Sequence, residues 1–99
     1  MRWTLALSLA FPLASHANEL GRKVFTEIAQ PPCALCHTLK AAGAGGTIGP
    51  SLDELKPDKA KALQAVRKGA GVMPPFGEKL TPEQIEAVAD YVARMAGSE

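Results

Sequence analysis

Cys33-Ala34-Leu35-Cys36-His37 reads as Cys-x-x-Cys-His. One helical turn between the two cysteines brings both sulfurs to one side of the backbone. There they add across the two vinyl groups of a single porphyrin and form thioethers. The adjacent histidine then lies under the iron and offers it an imidazole nitrogen. This string is a signal for covalent haem attachment, so Cys33 and Cys36 are the expected attachment points and His37 an expected iron ligand. Three other readings use the same residues. A Cys-x-x-Cys pair alone serves thioredoxin-like redox chemistry, but that fold needs alternating strands and helices. A structural zinc site takes four ligands, and beyond residue 17 the only cysteines and histidine are Cys33, Cys36 and His37. A plain disulfide leaves His37 without a role.

The chain upstream sets the compartment. Met1-Arg2 is a positive start, residues 3–13 are an almost uncharged apolar run, and Ser15-His16-Ala17 places small residues before a cut. This layout predicts a signal peptide over residues 1–17, cleaved between Ala17 and Asn18, and one domain over residues 18–99. The alternative is an uncleaved N-terminal anchor. The apolar run is shorter than the about 20 residues that a spanning helix needs, so no membrane insertion is expected after cleavage. The expected location is the periplasm, outside the cytoplasm, where haem of this kind is attached. The chain has 11 Lys and Arg against 10 Asp and Glu; without Arg2 the formal charges balance. No basic excess points to nucleic acid.

A domain this short usually needs a staple or a cofactor to be stable. After residue 17 the aromatic fillers are Phe25, Phe76 and Tyr91, with His37 the one other ring of that size. A core so thinly supplied points to a large apolar cofactor.

Around the motif the apolar spacing predicts an all-α fold of three to four helices. The first covers 19–29, with Leu20, Val24 and Ile28 at helical spacing and Phe25 beside them. Pro31-Pro32 ends it. The second covers 57–68, with Ala62, Leu63 and Val66 as its apolar stripe, many lysines, and Gly69 as its stop. The third opens at Thr81, with Pro82 in its first turn and Gln84 completing a capping box. Ile85, Val88, Ala89, Val92 and Ala96 share a face, and Gly97 follows as a C-cap. No alternating apolar run is present, which predicts no β-sheet. The Gly/Ala-rich stretch 41–46 reads as a flexible surface loop.

A second axial ligand would decide what a haem does here, because a methionine opposite histidine raises the reduction potential. Met73 lies in Gly69-Ala70-Gly71-Val72-Met73-Pro74-Pro75-Phe76-Gly77. Two prolines stiffen this loop, and its glycines permit close approach to a flat ring. The alternative is a loop methionine packed on apolar neighbours. Met95 sits near the apolar face of the third helix, where methionine is ordinarily core filler. A ligand histidine usually donates its other ring nitrogen to a nearby acceptor. The carbonyl in Gly49-Pro50 is one candidate; a simple turn is the equal alternative.

In these features the chain resembles the class I monohaem cytochromes c over the whole of residues 18–99. Gly21 and Phe25 look like the family's Gly-xxx-Phe pair, which packs against an aromatic residue of the last helix, here Tyr91. Cys33, Cys36 and His37 match the haem motif, and Met73-Pro74 matches the distal ligand loop. Gly49-Pro50-Ser51-Leu52 looks like the family's Gly-Pro-x-Leu segment. The resemblance implies that the Pro50 carbonyl accepts from His37, that Leu52 packs on the haem, and that helices wrap one covalent haem c whose iron is held by His37 and Met73. The tryptophan that contacts a haem propionate in many relatives is missing after residue 17. Within the family, Gly49-Pro50-Ser51-Leu52-Asp53-Glu54-Leu55 and Gly71-Val72-Met73-Pro74-Pro75-Phe76-Gly77 are similar to segments of small cytochromes that accept electrons from molybdenum sulfite dehydrogenases.

The function so implied is single-electron transfer by Fe(III)/Fe(II) cycling, not catalysis. The chain would be a periplasmic carrier or the cytochrome subunit of a dehydrogenase, with a sulfite dehydrogenase or a terminal oxidase as partner. Lys40, Lys68 and Lys79 are candidates for a basic rim, although a solvated face explains each singly. The rival from the enzyme class is a five-coordinate haem peroxidase or ligand sensor, which needs an open sixth position. A third reading is an exported structural module with a Cys33–Cys36 disulfide.

Overall fold

The computed structural model describes residues 13–98. Most of the predicted leader, residues 1–12, lies outside the described residues. The chain folds as α1 (Leu13–Lys23), continued by a π-helical turn (Val24–Ile28), then α2 (Cys33–Cys36), β1 (Thr38–Leu39), a 3₁₀ turn (Lys40–Ala42), β2 (Ala44–Gly45), α3 (Leu52–Leu55), α4 (Lys59–Lys68) and α5 (Pro82–Met95). The helices carry the fold, as expected, and two of them are single turns.

The packing of α1 on α5 follows from a missing side chain. A Cβ at Gly21 would overlap Tyr91 Cβ and stand 2.5 Å from the Ala87 carbonyl oxygen. Glycine therefore lets the two backbones approach to a distance that no other residue permits. One turn further on, Phe25 meets Tyr91 with ring centroids 6.4 Å apart and planes tilted by 56°, within the favoured range for aromatic pairs. The π turn closes with the Ala29 N–H donating to the Val24 carbonyl at 3.1 Å. It accompanies the burial of two successive side chains, Val24 and Phe25.

The long C-terminal helix is set by its ends and its apolar face. The Gln84 N–H donates to Thr81 Oγ1 at 3.1 Å, and the Thr81 N–H donates to Gln84 Oε1 at 2.9 Å. This is the reciprocal capping box. Ile85, Val88, Tyr91 and Val92 are buried in the core, each stabilising the fold by roughly 1.5–3 kcal/mol relative to exposure. Gly97 follows the helix with φ +86°, a conformation that glycine adopts without penalty. Helix α4 lies against α5 and starts at Asp58, whose carboxylate accepts from the Lys61 N–H at 2.8 Å. Lys59 and Arg67 both reach Glu86 on α5, at 3.0 and 3.6 Å. These pairs are half-exposed and are worth about 0–1 kcal/mol each.

Three expectations change. A short antiparallel ladder exists, pairing Thr38 with Gly45 and Leu39 with Ala44. Two residues per strand are too few to leave an alternating pattern. The 41–46 stretch is the turn of that ladder rather than a loose loop: Gly43 reverses the chain at φ +66°, and Ala42 and Ala44 enter the core. Helix α1 also begins ahead of the expected 19–29 segment, and the predicted Ala17–Asn18 junction falls inside it.

Asp53 ties these parts together. One carboxylate oxygen accepts from the Lys40 N–H at 2.9 Å and the other from the Gly97 N–H at 2.8 Å. A single side chain thus joins the hairpin to the end of α5. The two amides, Gly97's more than Lys40's, hold its carboxyl below the usual carboxylate range.

Candidate haem-binding site

A cleft of about 800 Å³ opens between α2, the 48–50 loop, α3, α4 and the loop after α4. Its volume lies within the about 300–1,000 Å³ typical of cofactor pockets. All six residues singled out in the sequence line it: Cys33, Cys36, His37, Pro50, Leu52 and Met73. They come from three separate segments, so the fold assembles them.

Cys33 and Cys36 open and close a single helical turn. The Leu35 N–H donates to the Pro32 carbonyl at 3.0 Å, and the His37 N–H to the Cys33 carbonyl at 3.0 Å. Pro32 suits the entry to such a turn, because its fixed φ presets the backbone. Both cysteines are free and partly buried. Burial pushes the Cys33 thiol up to about 11, which leaves it protonated at neutral pH until it is bonded.

The chain orients His37 by contacts with the next loop. Its Nδ1 stands 2.7 Å from the Pro50 carbonyl oxygen. A carbonyl only accepts, so Nδ1 is the donor in this contact, and Nε2 is the nitrogen that the contact leaves unengaged. The loop is brought up by the Gly49 N–H, which donates to the Cys36 carbonyl at 2.7 Å, and by the Gly46 N–H, which donates to the His37 carbonyl at 3.2 Å. Glycine is required at both points. A Cβ at Gly46 would overlap the Leu35 carbonyl, and one at Gly49 would stand 2.8 Å from His37 Cε1. Sequence reading marked Gly49 only as the partner of Pro50 and missed Gly46 as packing surface. An imidazole fitted against a glycine has no local signature.

Met73 is held by a tight reversal at the end of α4. Ala70 and Met73 exchange backbone hydrogen bonds at 3.1 and 2.9 Å, and Gly71 takes φ +58° between them. The Phe76 N–H then donates to the Val66 carbonyl at 2.8 Å. This seats Phe76 in the core and fastens the loop to α4. Met73 is partly buried and in contact with the core cluster. Met95 also packs on that cluster but does not line the cleft.

The residues present fit a haem. The walls are mostly apolar, with Phe25, Val66, Phe76, Val88 and Val92 among them. On α4 the positions facing the cleft include Ala62 and Ala65, whose small side chains leave room for a flat ring. Free thiols spaced one turn apart, an oriented imidazole with a free nitrogen and a thioether share this one cavity. That donor set matches covalent attachment and iron ligation.

Residues 17–92 match the family model described as "Cytochrome C oxidase, cbb3-type, subunit III". The chain belongs to the monohaem class I cytochromes c. Cytochrome c6 of Gloeothece citriformis is 37% identical over 82 residues, covering 77% of this chain and 69% of the relative. The crystal structure of the c-type cytochrome SorU from Sinorhizobium meliloti superposes with a TM-score of 0.82 at 52% identity, over 85% of this chain and 95% of that one. A quinohemoprotein alcohol dehydrogenase, ADH-IIG of Pseudomonas putida, is 31% identical over 65% of this chain, a match that covers 9% of its own length. This cytochrome c accordingly carries haem c, with its iron, covalently. It transfers electrons to and from redox partner proteins and is a carrier rather than an enzyme. Among the described residues, no helix of the cytochrome is long and apolar enough to cross a membrane.

Proposed function

We propose that Cys33 and Cys36 bear the thioether links, that His37 and Met73 are the axial ligands, and that Pro50 and Leu52 complete the proximal wall. When bound, the haem supplies a one-electron Fe(III)/Fe(II) couple. The observation that carries this assignment is the 2.7 Å contact between His37 Nδ1 and the Pro50 carbonyl. It fixes the tautomer, orients the ring and leaves Nε2 as the donor. Met73 is the methionine lining the same cleft, which favours a filled sixth position over the open one of a peroxidase or sensor. The loop hydrogen bonds around Met73 hold it in one place, so little rearrangement accompanies a change of iron charge.

The test is optical. The ferric protein is expected to show the weak near-infrared methionine-to-iron band, and Met73→Ala to lose it. A high-spin ferric spectrum in the native protein overturns the carrier assignment. Survival of the band in the variant assigns the ligand elsewhere, Met95 first.

The cytochrome acts in the periplasm, as a free carrier or as a subunit of a dehydrogenase, after removal of residues 1–17. The 1–17 layout supports this reading, and so does the match of a similar segment within a dehydrogenase. The mass of the exported protein is expected to equal residues 18–99 plus one haem; a retained leader contradicts it. Among partners, a molybdenum sulfite dehydrogenase is favoured by the 49–55 and 71–77 segments, with a terminal oxidase as acceptor. Sulfite and such a dehydrogenase should reduce the ferric cytochrome within its turnover time, and no reduction removes that partner.

A further inference from the structure

Haem carries two carboxylates, and this cleft is largely apolar. An ionised carboxylate placed against such walls without a partner is costly. Six titratable or thiol groups line the cleft: Cys33, Cys36, His37, Lys56, Asp58 and Lys61. The first three lie at the attachment end. Asp58 has a cap role, accepting from the Lys61 N–H. Lys56 and Lys61 remain, and neither is in an ion pair within 4.0 Å among the described residues.

We propose that Lys56 and Lys61 form the cationic end of the cleft and receive the two haem propionates. This rests on the reading that haem occupies the cleft.

The placement of both lysines supports the assignment. Lys56 is the corner between α3 and α4, and it is the described non-glycine residue with positive φ, at 47°. Its N–H closes α3 by donating to the Leu52 carbonyl at 2.8 Å. Its stem is laid across Gly97: a Cβ there would stand 2.7 Å from Lys56 Cε and 3.5 Å from Nζ. Both lysines are exposed at the cleft, and a long lysine stem lets the head group stay in water while meeting a carboxylate at the cleft mouth. Lys61 lies one turn into α4, on the same side as Ala62 and Ala65. Lys61 stands eight residue steps before the Gly69 end of the helix, which leads to Met73, about 12 Å of helix. The two lysines are therefore at the end of α4 remote from the Met73 loop. Propionates leave the porphyrin on an edge different from the vinyl groups, and α2 holds the vinyl edge.

The experiment uses the holoprotein. Midpoint potential is measured from pH 5 to pH 9 for the native chain, Lys56→Met, Lys61→Met, the corresponding Arg variants, and Lys68→Met as a charge-matched control. With both cations in place the propionates stay ionised and the native potential is flat across this range. Either Met variant is expected to lower the potential and introduce a pH-dependent segment, because a propionate without its cation takes up a proton on reduction. The Arg variants should restore the flat profile, and Lys68→Met should leave it flat. Flat profiles in both Met variants, or an equal change in Lys68→Met, overturn the proposal. A second measurement needs no variant: in the native holoprotein, Lys56 and Lys61 should acylate more slowly than Lys40 and Lys68, and equal rates overturn the proposal. The near-infrared methionine band reports the axial ligands in every sample, so failure of the ligand assignment is seen separately.

Discussion

His37 shows how much of a cofactor site resides in one glycine. Its ring lies against Gly49, so Gly49→Ala forces a Cβ into the imidazole. The ring must turn, or the loop must retreat and lose the Pro50 contact. Overpacking of this kind costs roughly 1–3 kcal/mol. The expected outcome is a lower thermal midpoint and a shifted or weakened near-infrared band, read on one sample; an unchanged band shows that the loop yields without moving the ring. Asp53 offers a prediction with a pH axis. Its carboxyl is held below the ordinary range by the Gly97 and Lys40 amides. A depressed folded-state value means that the contribution is complete above the unfolded value of about 3.9 and disappears as pH falls through the folded one. Asp53→Asn should therefore lower the urea midpoint at pH 7, and the gap from native should close progressively below about pH 4. A gap that persists unchanged into acid contradicts the assignment.

At the scale of elements, the crossing of α1 and α5 decides where everything else sits. Gly21→Ala places a methyl against Tyr91 Cβ and the Ala87 carbonyl. Backbone cannot swing aside as a flexible side chain does, so the helices must part. A loss of about 1–3 kcal/mol is expected, measured as a fall in the denaturant midpoint with haem still attached. A neutral result means that α1 slides along α5 instead. The three helices read from apolar spacing and caps match α1 with its π turn, α4 and α5. The Thr81–Gln84 box and the Gly69 stop were legible because capping is chemistry within a few residues. The hairpin was not legible. Two-residue strands have no period, and the burial of Ala42 and Ala44 depends on neighbours distant in sequence.

For the whole molecule, the haem cleft is the larger part of the question of stability. Phe25, Val66, Phe76, Val88 and Val92 line a cavity that protein atoms do not fill. A chain of this size buries only about 60% of its unfolded surface even when its core is complete. The Cys33→Ala/Cys36→Ala chain, which cannot hold haem covalently, is expected to show no cooperative thermal transition by circular dichroism. A sigmoidal melt would show that α1, α4 and α5 suffice without the cofactor.

The sequence by itself determined the chemistry. The attachment proposed for Cys33 and Cys36, with His37 beside them as the proposed ligand, is a matter of spacing along one turn, and spacing is written in order. Family membership, the three long helices and the Met73 loop follow from similarly local patterns. The Gly-Pro-x-Leu resemblance names the Pro50 carbonyl as an acceptor for His37, and tertiary structure decided that Nδ1 is the nitrogen that meets it, at 2.7 Å. It also decided that Asp53 closes the chain's end onto the hairpin across 44 residues, and that two of many lysines, Lys56 and Lys61, stand at the cleft. Hydrogen bonds and cations act through space. Nothing in the order of residues says which distant groups will meet until the backbones have packed around Gly21, Gly46 and Gly49.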